Sequence, residues 1–111
     1  DSYVCFNDKS DVKKRIANKL LTKDGHPSFS SKNENLMLTD TYPIESNSRK
    51  QELVLYDLNT RSIIAKEYLK HENFCKSPMR SDLHPKWSND GNLFAIDTLD
   101  RGYRSIYLYE I

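Results

Sequence analysis

A short pattern occurs twice in this chain, and few folds reproduce one motif at such a spacing. Asp24-Gly25-His26-Pro27-Ser28-Phe29-Ser30 returns as Asp82-Leu83-His84-Pro85-Lys86-Trp87-Ser88, and each copy runs into an apolar segment ending in Asp-Thr. Those segments are Leu36-Met37-Leu38-Thr39-Asp40-Thr41 and Leu93-Phe94-Ala95-Ile96-Asp97-Thr98. A second pair follows, Leu53-Val54-Leu55-Tyr56-Asp57-Leu58 against Ile106-Tyr107-Leu108-Tyr109-Glu110-Ile111. The offset is 58 residues at the histidines and 53 at the last segments, so the connecting loops absorb the difference. Self-similarity at such a period, with several short strands per unit, marks an array of repeated antiparallel sheets.

Bulk properties exclude several classes. Charged residues make up 30% of the chain, yet the formal net charge is only +1 and the two signs are interspersed. The one-signed face that nucleic-acid binding demands is therefore not expected. No apolar run approaches the ~20 residues of a membrane-spanning helix. Seven tyrosines and four phenylalanines argue against disorder. Cys5 and Cys75 lack the Cys-x-x-Cys spacing of zinc or redox sites, and both a disulfide and two separate thiols stay open. With them the compartment stays open, cytoplasmic or periplasmic.

Alternation and turn chemistry predict an all-β chain. Strands are expected at Ser2–Phe6, Val12–Ile16, Pro27–Ser30, Leu36–Thr41, Glu52–Leu58, Ser62–Tyr68, Pro85–Ser88, Leu93–Thr98 and Ser105–Ile111. Val12, Ile16, Ala17, Leu20 and Leu21 also fit helical spacing after Asp11, but position in the repeat favours a strand at Val12–Ile16. Phe29 and Trp87 read as core, Asp90 as a turn former, and Tyr107 and Tyr109 as one sheet face. The arrangement expected is a partial β-propeller of four-stranded antiparallel blades. Residues 1–23 end one blade, 24–70 form a complete one, and 71–111 give three strands of the next. A ring needs about four blades to close, so this count predicts the C-terminal part of a longer protein, or several chains completing one ring. A small sandwich is the third option. Exposed sheet edges predict self-association.

Pro85-Lys86-Trp87-Ser88-Asn89-Asp90-Gly91-Asn92-Leu93-Phe94-Ala95-Ile96 resembles the repeat of TolB-type propellers, with Asn89 in the usual proline position. The first copy keeps Phe29-Ser30 but lacks Asp-Gly, so its turn must be built differently. Across roughly residues 2–111 the wider pattern is similar to a bacterial subgroup related to oligogalacturonate lyase and to proteins encoded with polysaccharide genes. The resemblance specifies fold more than function, since propellers host enzymes and inert scaffolds alike.

Hairpin geometry places His26 with Asp40, and His84 with Asp97, near one rim. Loops 42–50, 71–83 and 98–104 bring Tyr42, Arg49, Lys50, Arg80, Asp82, Asp100, Arg101, Tyr103 and Arg104 to that end. Arginine grips a carboxylate with a two-pronged fork and tyrosine stacks on a sugar ring, so this rim suits an acidic oligosaccharide. The candidate ligand-binding residues are His26, Asp40, Tyr42, Arg80, Asp82, His84, Asp97 and Arg101. Three roles are open for His26 and His84. They are structural residues bonded to an Asp neighbour or a carbonyl, ligand contacts, or ligands of a divalent metal such as manganese. The last role is what the resemblance to the lyase implies, although that site takes a third histidine, a glutamine and an arginine, and His71 has no matching spacing. The expected function is a non-catalytic binding segment linked to polysaccharide handling. Part of a metal-dependent uronate lyase is one alternative, and a TolB-like scaffold for a protein partner is another.

Overall fold

The computed structural model describes residues 2–43, 50–71, 78 and 80–111. It is all-β, with nine strands and no helix among those residues: β1 (Tyr3–Phe6), β2 (Lys13–Ile16), β3 (Ser28–Phe29), β4 (Leu36–Asp40), β5 (Lys50–Asp57), β6 (Ser62–Lys70), β7 (Lys86–Trp87), β8 (Leu93–Thr98) and β9 (Ser105–Glu110). Every pairing is antiparallel between neighbours in sequence, giving a first sheet β1-β2, a second β3-β4-β5-β6 and a third β7-β8-β9. The helical spacing at Val12–Leu21 resolves as a strand followed by a tight turn. Ala17 and Lys19 take positive φ there (52° and 64°), and the Ala17 carbonyl accepts from the Leu20 and Leu21 amides.

The inner strands of the second sheet, β4 and β5, are buried on both faces, which explains the near-continuous apolar run of β4. Met37, Val54 and Tyr56 meet Ile16, Ala17 and Leu21 of the first sheet and its turn. On the other face, Leu38, Leu53 and Leu69 meet Leu83, Phe94 and Ile96 of the third. Lys23 Nζ ties the first sheet's exit to Glu52 Oε1 on β5 at 2.8 Å, and Lys66 holds Oε2 at 3.2 Å. Burial works against the ionised Glu52, but these two ammonium groups outweigh it and leave its pKa below the ordinary value.

Two core expectations divide. Trp87 is half-buried against the second cluster, edge-on to Phe94, and its Nε1 donates to the Ser28 carbonyl at 3.3 Å. Phe29, by contrast, is 42% exposed. It sits opposite Met37 on the face toward the first sheet, but no first-sheet residue of that cluster reaches over β3. Tyr107 and Tyr109 do share one face, packed on the second cluster, with Tyr109 stacked on Phe94 at 4.8 Å. Cys5 carries a free thiol on β1, half-buried against the first cluster; Cys75 lies outside the described residues, and its pairing with it.

The two β3-β4 and β7-β8 turns are built from different parts. In the first, Ser30 Oγ accepts from the Lys32 and Asn33 amides and Asn33 Oδ1 from the Asn35 amide. In the second, Asp90 Oδ1 accepts from Ser88 Oγ at 2.6 Å and from the Asn92 amide at 3.1 Å. Gly91 takes φ +67°, and a side chain there would run into Ser30 and Lys32 of the neighbouring turn. These bonds, Ser88 first, lower the Asp90 pKa to about 2. A group depressed in the folded state stabilises it above the unfolded value and loses that contribution as pH falls toward the folded one. Acid titrations of stability should therefore show a loss between about pH 4 and pH 2 that is reduced in Asp90→Asn. Equal acid slopes for the two proteins would remove Asp90 from the account.

Candidate functional site

Register explains why His26 and Asp40 meet. Ser28 faces Leu38 across the β3-β4 pair, so the residue two before β3 lies beside the last residue of β4. Asp40 is buried, 1% exposed, and its carboxylate is fully engaged. Oδ1 accepts from the His26 amide at 2.6 Å, and the His26 ring Nδ1 lies 3.0 and 3.1 Å from the two oxygens. Oδ2 also accepts from the His84 amide at 3.2 Å, so one carboxylate holds both copies of the His-Pro motif. With Nδ1–H donated to Asp40, the neutral tautomer of His26 leaves Nε2 as the acceptor for Tyr42 Oη at 3.3 Å.

The two imidazoles stack with centroids 3.9 Å apart and planes 28° apart. His84 takes φ +43°, a left-handed conformation that a non-glycine residue adopts at a cost of roughly 1–2 kcal/mol. The Asp40 bond to its amide and the ring stack offset that strain. Arg80 closes the cluster. Its Nε and Nη2 reach Asp82 Oδ1 and Oδ2 at 3.0 and 3.3 Å, and its guanidinium lies 5.6 Å from the Tyr42 ring centre. Arg104 Nη2 donates to the Pro78 and Arg80 carbonyls, fixing the backbone beneath. A pocket of about 410 Å³ opens here, lined by Arg80, Asp82, His84, Asp97 and Arg104.

Seven of the eight candidates thus lie together, and the second copy departs from the first. Asp97 does not hold His84 as Asp40 holds His26. Its amide donates to the Leu83 carbonyl at 2.9 Å while its side chain stands exposed at the pocket wall. Arg101 is not brought to the cluster. Its guanidinium lies 5.8 Å from the Tyr107 ring centre, and hydrogen bonds with Tyr103 and Tyr107 push its pKa up. His71 is wholly buried, away from any rim role. Arg49 lies outside the described residues.

One donor atom each from His26, Asp82 and His84 falls within 4.8 Å of the others. A metal fits this set poorly. Imidazole lone pairs lie in the ring planes, and two stacked rings aim them side by side, not at a shared point. Both Asp82 oxygens are also occupied by Arg80. The pocket presents both signs of charge, with Arg80 and Arg104 beside Asp82 and Asp97.

Gly25 is the site residue that repeat-matching missed. A Cβ there would lie 1.8 Å from the Asp40 carbonyl oxygen, so the absence of a side chain lets the segment before β3 lie against the backbone at the end of β4. The signal was the mismatch Asp-Gly-His against Asp-Leu-His, since Leu83 at the matching position is wholly buried in the core. No family model, no curated protein and no solved structure matches this chain.

Proposed function

We propose that this chain is a segment of a TolB-like β-propeller, with its three stacked sheets as successive blades, and that it acts as a non-catalytic binding module for an acidic oligosaccharide. The Asp40 brace carries this reading. A buried carboxylate committed to two backbone amides and an imidazole is a structural part, and what it organises is a surface. Around His26 and His84 that surface gathers Arg80 and Tyr42, the groups that recognise a uronate carboxylate and ring. The bacterial, polysaccharide-linked setting rests on the sequence resemblance alone.

The test is a titration of oligogalacturonate into isotope-labelled protein, followed by amide and imidazole resonances. Shifts should centre on Tyr42, Arg80 and His84, and a neutral oligosaccharide should give none. Charge-assisted bonds contribute about 1.5–3 kcal/mol, so Arg80→Gln should weaken binding roughly tenfold or more. Equal shifts with the neutral sugar, or shifts elsewhere, would sink the reading.

A second reading, part of a metal-dependent uronate lyase, has one observation in its favour. With its Nδ1–H given to Asp40, His26 keeps a lone pair on Nε2 that could bind a metal in place of the Tyr42 hydroxyl, the second-sphere pattern metal-binding histidines commonly show. It predicts metal in the purified protein and an ultraviolet-absorbing unsaturated product.

A further inference from the structure

The stack of three sheets ends in two uncovered faces with opposite character. On the first sheet, register puts Val4, Phe6, Lys13 and Arg15 on the side away from the core. Val4 and Phe6 are 47% and 59% exposed, and Lys13 Nζ stands 5.5 Å from the Phe6 ring centre. On the third sheet, the outward set is Leu93, Ala95, Asp97, Ile106, Leu108 and Glu110, joined at one end by Lys86. Ile106 and Leu108 are 73% and 67% exposed, more than any other large apolar residue described. One end face is therefore apolar with two bases, the other apolar with two acids and one base.

We propose that a second copy of this chain covers each face, the third sheet of one copy docking on the first sheet of the next. The chain already uses this contact twice. Each internal interface joins sheet faces through aliphatic and aromatic side chains, and the Lys23–Glu52 pair ties one of them with a base on the first-sheet side and an acid on the partner sheet. The intermolecular contact repeats that polarity, with Lys13 and Arg15 meeting Asp97 and Glu110. Like-on-like docking of either face would bring bases against bases or acids against acids. The association is head-to-tail, so it closes as a ring or continues as an open array. It rests on the sheet faces and not on which ligand the His26–His84 cluster takes, with Asp97 bordering both surfaces.

Sedimentation of the 111-residue chain over a concentration series tests this. Wild-type protein should exceed its 13.0 kDa monomer mass, and added salt should weaken the assembly. Leu108→Lys blocks the third-sheet end and Phe6→Glu the first-sheet end. Both positions are exposed, and circular dichroism checks that each variant folds. Each variant alone should be monomeric, and an equimolar mixture should give a dimer of one copy of each and nothing larger. A wild-type monomer at every concentration would overturn the proposal, as would a folded variant that retains wild-type mass. A mixture that stays monomeric would overturn it too.

Discussion

Replacing Asp40 with alanine costs this protein about 3–5 kcal/mol, the range for removing one partner from a buried, charged hydrogen-bond network. The carboxylate is 1% exposed and accepts from the His26 amide, the His26 ring and the His84 amide, so the change strands three donors at once. It also releases the left-handed turn at His84, where φ is +43°. For a domain of this size such a loss lowers the thermal midpoint by roughly 15 °C or more. Asp40→Asn keeps one acceptor oxygen but presents an amide to a backbone amide, and falls in between. Asp97→Ala is the control: it occupies the matching repeat position, its side chain is exposed, and its amide-to-Leu83 bond survives, so it should stay within about 0.5 kcal/mol. Urea unfolding of the three variants measures all of this. If Asp40→Ala and Asp97→Ala proved equally mild, the carboxylate would not be the brace, and the ligand surface built on it would lose its foundation.

The all-β character was legible because strands and turns announce themselves locally. Alternation in Glu52–Leu58 and Ser105–Ile111, and the Asn89-Asp90-Gly91 turn, depend on near neighbours in the chain. The meeting of His26 with Asp40 was legible for the same reason, since one hairpin connects them. What exceeded the sequence was contact between sheets. That His84 would give its amide to Asp40, and not to its own repeat partner Asp97, depends on how two sheets pack, and no spacing within one copy encodes it. Phe29 failed as core on the same ground: its strand spacing was legible, but whether a neighbouring sheet covers β3 is not written in β3. Arg101 likewise belongs to the 98–104 loop, but its guanidinium lies by the Tyr107 ring and not at the cluster.

Gly25→Ala is expected to be as damaging as the loss of Asp40 itself, although it adds a single methyl group. That methyl carbon would sit 1.8 Å from the Asp40 carbonyl oxygen, 2.7 Å from its carbonyl carbon and 3.0 Å from Oδ1. Two of those three atoms are backbone, and they belong to the last residue of β4, which cannot rotate aside as a flexible side chain would. Relief requires the segment before His26 to lift from β4, which lengthens the 2.6 Å amide bond to Asp40 and separates the stacked imidazoles. Overpacking that forces backbone displacement costs about 1–3 kcal/mol, and loss of the Asp40 bonds comes in addition, so at least about 3 kcal/mol is expected. Gly102→Ala separates sterics from conformation. Gly102 has φ +83° with nothing within 4 Å of an added Cβ, so only left-handed strain of about 1–2 kcal/mol applies. The imidazole resonances of His26 and His84 supply the second readout, moving in Gly25→Ala and staying in place in Gly102→Ala. Equal losses in the two variants, with unmoved histidine resonances in both, would mean that β4 yields easily at Asp40. The close approach of Gly25 would then not be what holds the two His-Pro segments together.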